Sequence, residues 1–89
     1  MKTKATNMLS SRGNPVPNQF VIYAKDGKYF QSYNSIIAFI DNNNKVFLDE
    51  YYWDYSRTTS KYRNIFLNEN TEQTKSSIKT EKYKLINLN

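Results

Sequence analysis

The chain has 89 residues and a formal net charge of +5, the size of one small domain with a thin core. It holds no cysteine and no histidine, which excludes disulfides, thiolate nucleophiles, Cys-type zinc sites and the commonest neutral-pH base. No apolar run approaches membrane-spanning length, the N-terminus lacks a signal-peptide core, and an aromatic share of 16% argues against disorder.

In chain order, residues 1–18 read as an irregular basic leader. Lys2, Lys4 and Arg12 supply its charge, and Gly13-Asn14-Pro15-Val16-Pro17-Asn18 cannot continue a regular helix. Residues 19–89 read as a single small α+β domain. Its first strand spans Gln19 to Lys25, with Phe20, Ile22 and Ala24 on one face and Val21 and Tyr23 on the other. Asp26-Gly27 fits a two-residue hairpin turn, and Lys28 to Ser32 should return antiparallel. Ser35 to Asp41 is a third strand or a short helix; β-branching and the short length favour the strand. Asn42-Asn43-Asn44 turns the chain into a fourth strand, Lys45 to Asp49.

The period changes after Asp54. Tyr62, Ile65 and Phe66 fall on one helical face, with Arg57, Lys61, Asn64 and Asn68 opposite and Asp54 or Ser56 placed to cap. A short second helix is predicted from Thr71 to about Lys82, with Asn70 and Gln73 spaced as a capping box. Tyr83 to Leu88 alternates and reads as a last strand at a sheet edge. The expected architecture is therefore an antiparallel sheet of four or five strands, packed by one main helix and a short second helix.

The densest chemistry lies between Tyr51 and Arg63. Tyr51, Tyr52, Trp53 and Tyr55 either stack on unpaired bases or fill the core between helix and sheet. Tyr29, Phe30 and Tyr33 form a second aromatic group open to the same two readings. Arg57, Lys61 and Asn64 are neighbours on a helix and suit phosphate oxygens or base edges. The positive charge is dispersed, with five cations against two acids in residues 1–44 and eight against six in 45–89. It favours acidic partners through its long-range field. Asp49, Glu50 and Asp54 would need a cleft that drives their pKa values apart, and Ser56, Thr58 and Thr59 have no histidine base. No catalytic residue, cofactor or metal is expected.

Two segments, Phe30-Gln31-Ser32-Tyr33-Asn34-Ser35-Ile36-Ile37-Ala38 and Tyr52 to Leu67, resemble a family of small, functionally uncharacterised bacteriophage proteins. The Tyr-Ser-x-Thr-Thr-Ser-Lys portion at 55–61 is the more specific part, and the likeness covers about Phe20 to Leu67. The resemblance implies an accessory role in the cytoplasm of an infected bacterium and brings no catalytic roles. The expected function is non-catalytic binding of DNA or RNA through Tyr52, Tyr55, Arg57, Lys61, Arg63 and Asn64. The alternative is an inhibitor fitting an acidic patch on a bacterial protein such as a defence nuclease. No membrane partner is expected; a homodimer through the edge at Leu85 to Leu88 is a further option.

Overall fold

The computed structural model describes residues 3–89. Eight elements follow one another: β1 (Lys4–Leu9), β2 (Pro15–Ala24), β3 (Gly27–Ser32), β4 (Ser35–Asp41), β5 (Val46–Asp49), α1 (Arg57–Leu67), α2 (Thr71–Lys79) and β6 (Lys84–Ile86). The strands form one sheet in chain order. β1 to β5 are an antiparallel meander, and β6 pairs parallel to β5. The class is α+β as expected, but the sheet is mixed and has six strands rather than four or five antiparallel ones. Parallel neighbours cannot be joined by a tight turn, and α1 with α2 supplies the crossover.

The extra strand comes from the segment expected to be an irregular leader; Lys2 lies outside the described residues. The Gly13-Asn14-Pro15 break closes a hairpin instead of loosening a tail. Ser10 N–H donates to the Asn14 carbonyl at 2.8 Å, Gly13 N–H donates to the Ser10 carbonyl at 2.9 Å, and Gly13 takes φ 80°. The β1–β2 register shifts between Asn7 and Leu9, opposite the stretch that holds Pro15 and Pro17. Irregular pairing of this kind is where strand prolines are tolerated.

The hairpin joining β2 to β3 also differs by one residue from expectation. Ala24 pairs with Gly27, so Lys25 and Asp26 form the turn and Gly27 opens β3. Gly27 has φ 148°, and a Cβ there would stand 2.2 Å from the Ile40 carbonyl oxygen. The glycine is needed for strand approach. Gly27→Ala should lose about 2 kcal/mol in urea unfolding, from backbone strain plus a clash with fixed main chain. Gly13→Ala, with open space at its Cβ, should lose less; equal losses would contradict this assignment.

The core lies between the helices and one sheet face. Phe30, Ala38 and Leu48, paired across β3, β4 and β5, are fully buried, together with Ile37. Tyr62 of α1 closes over them, and Phe66 stacks 5.8 Å from Phe30. The inward stripe of α1 is Thr59, Tyr62, Arg63 and Phe66, the i, i+3, i+4, i+7 positions. Ile65, expected inside, is 54% exposed. Trp53 packs half-buried against the core, as does Tyr52.

Tyr29, Phe30 and Tyr33 do not form one group. Phe30 is core, Tyr33 sits in the β3–β4 turn, and Tyr29 points to the opposite sheet face. There it stacks on Phe39 at 4.3 Å, and Phe39 stacks on Phe47 at 5.9 Å.

α2 has the expected capping box: Gln73 N–H donates to Asn70 Oδ1 at 2.8 Å, and Asn70 N–H donates to Gln73 Oε1 at 2.9 Å. It stops at Lys79, short of Lys82, because Glu81 turns left-handed with φ 61°. Tyr83 then folds back, buried, its hydroxyl donating to Glu69. Burial, and then that hydrogen bond, push the Tyr83 hydroxyl up to about 12. The last strand is shorter than the predicted 83–88, and it does form the sheet edge.

Beyond β6 the chain is tied down at two points: Asn89 Oδ1 accepts from Ile36 N–H at 2.7 Å and its Nδ2 donates to the Ile36 carbonyl at 3.0 Å, and one carboxylate holds the rest. Asp49, at the end of β5, is buried and accepts from Leu88 N–H at 2.8 Å and Asn89 Nδ2 at 3.0 Å through Oδ1. Its Oδ2 accepts from Tyr51 N–H at 3.0 Å and Tyr52 N–H at 2.8 Å. Burial pushes this carboxyl up, but the Leu88, Tyr52, Asn89 and Tyr51 donors together outweigh it and hold it below the usual carboxylate range.

Candidate functional site

The two segments singled out in the sequence meet at the start of α1. Ser56 is the N-cap: its backbone is extended and its hydroxyl accepts from Thr59 N–H at 3.1 Å. The same hydroxyl donates to Thr59 Oγ1 at 3.1 Å. Thr59 Oγ1 in turn lies 2.9 Å from Ser32 Oγ, a buried bond between groups 27 residues apart. That bond fastens the β3–β4 turn to the helix. Between them is a cleft of about 560 Å³.

The cleft has aromatic walls and a hydroxyl-rich lining. Tyr33, Tyr52 and Tyr55 line it, with Ser32, Ser35, Ser56, Thr58 and Thr59, and among the described residues no charged side chain lines it. Tyr33 adopts φ 55°, unusual for a bulky side chain. It is pinned there by its N–H, which donates to the Asn18 carbonyl at 2.7 Å, and by Gln31 Nε2, which donates to its carbonyl at 2.7 Å. Tyr52 meets Tyr51 edge-on at 4.7 Å and Tyr55 at 5.3 Å. Tyr33, Tyr51 and Tyr55 remain 50%, 73% and 63% exposed.

The six residues expected to bind divide into three groups. Tyr55 and half-buried Tyr52 are in the cleft wall, and Arg57, between lining residues Ser56 and Thr58, is exposed. Lys61 is exposed but on another flank, beside a shallow groove lined also by Leu9 and Ile65. Arg63 is fully buried and unavailable to any partner. Its Nη1 donates to the Trp53 carbonyl at 2.5 Å and to Asp54 Oδ1 at 3.2 Å. Its Nη2 donates to Asn64 Oδ1 at 3.0 Å and Thr71 Oγ1 at 3.1 Å, and the guanidinium lies 5.2 Å from the Trp53 ring centre. Asn64 is held in the same network, its Nδ2 donating to Thr71 Oγ1 at 3.1 Å. Arg63 and Asn64 therefore join α1 to the 53–54 turn and to α2.

Two of the three carboxylates considered for chemistry are engaged structurally. Asp49 holds the C-terminal segment, and Asp54 accepts from Ser60 Oγ at 2.6 Å and from Arg63. Burial pushes the Asp54 carboxyl up, while the Ser60 and Arg63 hydrogen bonds and the nearby positive charge hold it below the usual range. No group of three or more His, Cys, Asp or Glu side chains among the described residues could hold a metal ion. No helix among them is long and apolar enough to cross a membrane.

The binding residues expected from the sequence omitted Tyr33, Ser32, Ser35 and Thr58, although Phe30 to Ala38 carried half of the family resemblance. A sequence profile of a family of unknown function, DUF8033, matches residues 3–83 and so spans both segments and nearly all of the sheet. The chain belongs to this family. No curated protein and no solved structure matches it. The DUF8033 match begins within the segment read as a leader, in keeping with the place of β1 in the sheet.

Proposed function

We propose that this DUF8033 protein is a phage-type accessory protein that binds nucleic acid without chemistry, in the cytoplasm of an infected bacterium. One observation carries the reading. Tyr33 and Tyr55, each at least half exposed, line one cleft at the start of α1, exposed Tyr51 packs edge-on against Tyr52 of the same wall, and Arg57, between lining residues Ser56 and Thr58, is exposed. Large exposed aromatic faces are suited to base stacking, which contributes about 1–3 kcal/mol per base, and an arginine next to them suits the phosphate backbone. The first turn of α1 carries no acidic side chain to repel that backbone. A net charge of +5 adds long-range attraction. Arg63 and Asn64 drop out of the binding set, and Tyr33 and Tyr51 enter it.

A second reading, an inhibitor docked on a bacterial protein, is favoured by the other flank of α1. There Leu9 and Ile65, both largely exposed, frame Lys61. A pull-down from host lysate, with and without nuclease, separates the two. Nucleic acid alone on the protein supports the first reading; a single protein partner retained after nuclease supports the second. A second copy of the chain joined at the β6 edge, where Leu85 and Ile86 are exposed, would appear in light scattering as a dimer.

A further inference from the structure

We infer that the cleft between the β3–β4 turn and α1 takes one unstacked nucleobase, so that the ligand is single-stranded nucleic acid and not duplex. The inference rests on the nucleic-acid reading and specifies its ligand. The cleft, at about 560 Å³, falls within the size range of small-molecule sites. Its walls are tyrosines, which favour a flat aromatic ring, and its lining is uncharged, which favours a base over a phosphate. Ser56, Thr59 and Ser32 hydroxyls are bonded to one another. The hydroxyls of Ser35 and Thr58 lie outside that chain of bonds, and each both donates and accepts, as a base edge requires. Arg57, exposed and between lining residues Ser56 and Thr58 in sequence, is available for a phosphate contact.

Tyr33 points the same way. It sits in the two-residue loop between paired Ser32 and Ser35, where the hairpin accounts for its φ of 55°, and that turn, with hydrogen bonds to its N–H and carbonyl, holds the ring half-exposed at the cleft. A base within a duplex is stacked and paired and would have to be flipped out to reach these rings, at a cost of a few kcal/mol. A single strand presents its bases without that cost.

Fluorescence anisotropy with short labelled oligonucleotides tests this directly. The probes are oligothymidylate, oligouridylate, a DNA duplex, and an abasic strand that keeps every phosphate. The DNA and RNA arms separate the two sources of single strand. Binding to the intact single strand should exceed binding to the duplex and the abasic strand by about tenfold, the loss of one stacked base. Tyr33→Asn removes the ring while asparagine accepts the left-handed backbone. It should weaken the intact single strand by about tenfold and leave the abasic strand unchanged. Tyr55→Ala, at an exposed position, should act in the same direction. Equal affinity for intact and abasic strands, a preference for duplex, or full affinity in both tyrosine variants overturns the base-in-cleft inference alone. No binding to any probe overturns it together with the nucleic-acid reading.

Discussion

Arg63→Met should lower stability by about 4 kcal/mol, the largest single loss expected from a side chain that sequence spacing assigns to the surface. The arginine is fully buried, and its two terminal nitrogens serve Trp53, Asp54, Asn64 and Thr71 from one fork. Methionine fills much of the volume, so the loss reports hydrogen bonds and charge more than a cavity. The Asp54 side chain is 42% exposed and recovers water, but the Trp53 carbonyl and Thr71 hydroxyl lose a charged donor. Lysine should rescue little, because a point ammonium cannot span both sides of the network. Urea unfolding of wild type, Arg63→Met and Arg63→Lys measures this; a loss below about 1 kcal/mol for methionine would contradict the assigned role.

Asp49→Asn should cost about 3 kcal/mol at neutral pH. Four N–H donors converge on the two carboxylate oxygens, and an asparagine amide turns a donor toward one pair of them. Either the Tyr51–Tyr52 segment loses its anchor, or the C-terminal segment is left with only the Asn89–Ile36 pair. The pH dependence follows from the depressed carboxyl. Its ordinary value is 3.8 and the folded value lies below that. The stabilisation is therefore complete above about pH 5 and disappears as pH falls through the folded value. Asp54, also depressed, titrates in the same direction. Wild type should lose more stability than Asp49→Asn between pH 5 and pH 2 in urea titrations; parallel losses would show that Asp49 is not anchored as described. Because Asp49 holds Tyr51 and Tyr52, the variant should also blunt binding at the cleft.

Local rules carried much of the fold from sequence. The alternation of β2, β3 and β5, the β-branching of β4 and the Asn70–Gln73 box each depend on residues within a few positions of one another and are legible from them, whereas spacing leaves the α1 cap open between Asp54 and Ser56 until the Ser56–Thr59 bond decides it. The partners of Arg63 were not legible. An arginine among cations on a helix has the spacing of a solvated face, and only the packing of Trp53 and Thr71 against α1 turns it inward. The shift of the inward stripe to Thr59, Tyr62, Arg63 and Phe66 exposed Ile65 for the same reason. The leader failed as a reading because Gly13 and the prolines signal a break but do not say whether the chain returns. The cleft depends on the Ser32–Thr59 bond, and nothing in either segment alone announces the other. Tyr55 and Arg57 are legible as exposed binding candidates; Tyr33 is legible only as one of an aromatic group with two readings, and its separation from Tyr29 and Phe30 and its place in the cleft come from the β3–β4 turn.

Salt dependence of single-strand binding, measured for wild type and for Arg57→Gln, tests nucleic-acid binding most directly. The Arg57 side chain is exposed, so circular dichroism and urea unfolding should match wild type. Wild-type affinity should fall linearly on logarithmic axes as salt rises, and removing one phosphate contact should reduce the slope by about 0.7. A folded wild-type protein that binds no oligonucleotide at low salt, or a folded Arg57→Gln variant with an unchanged slope, would contradict it.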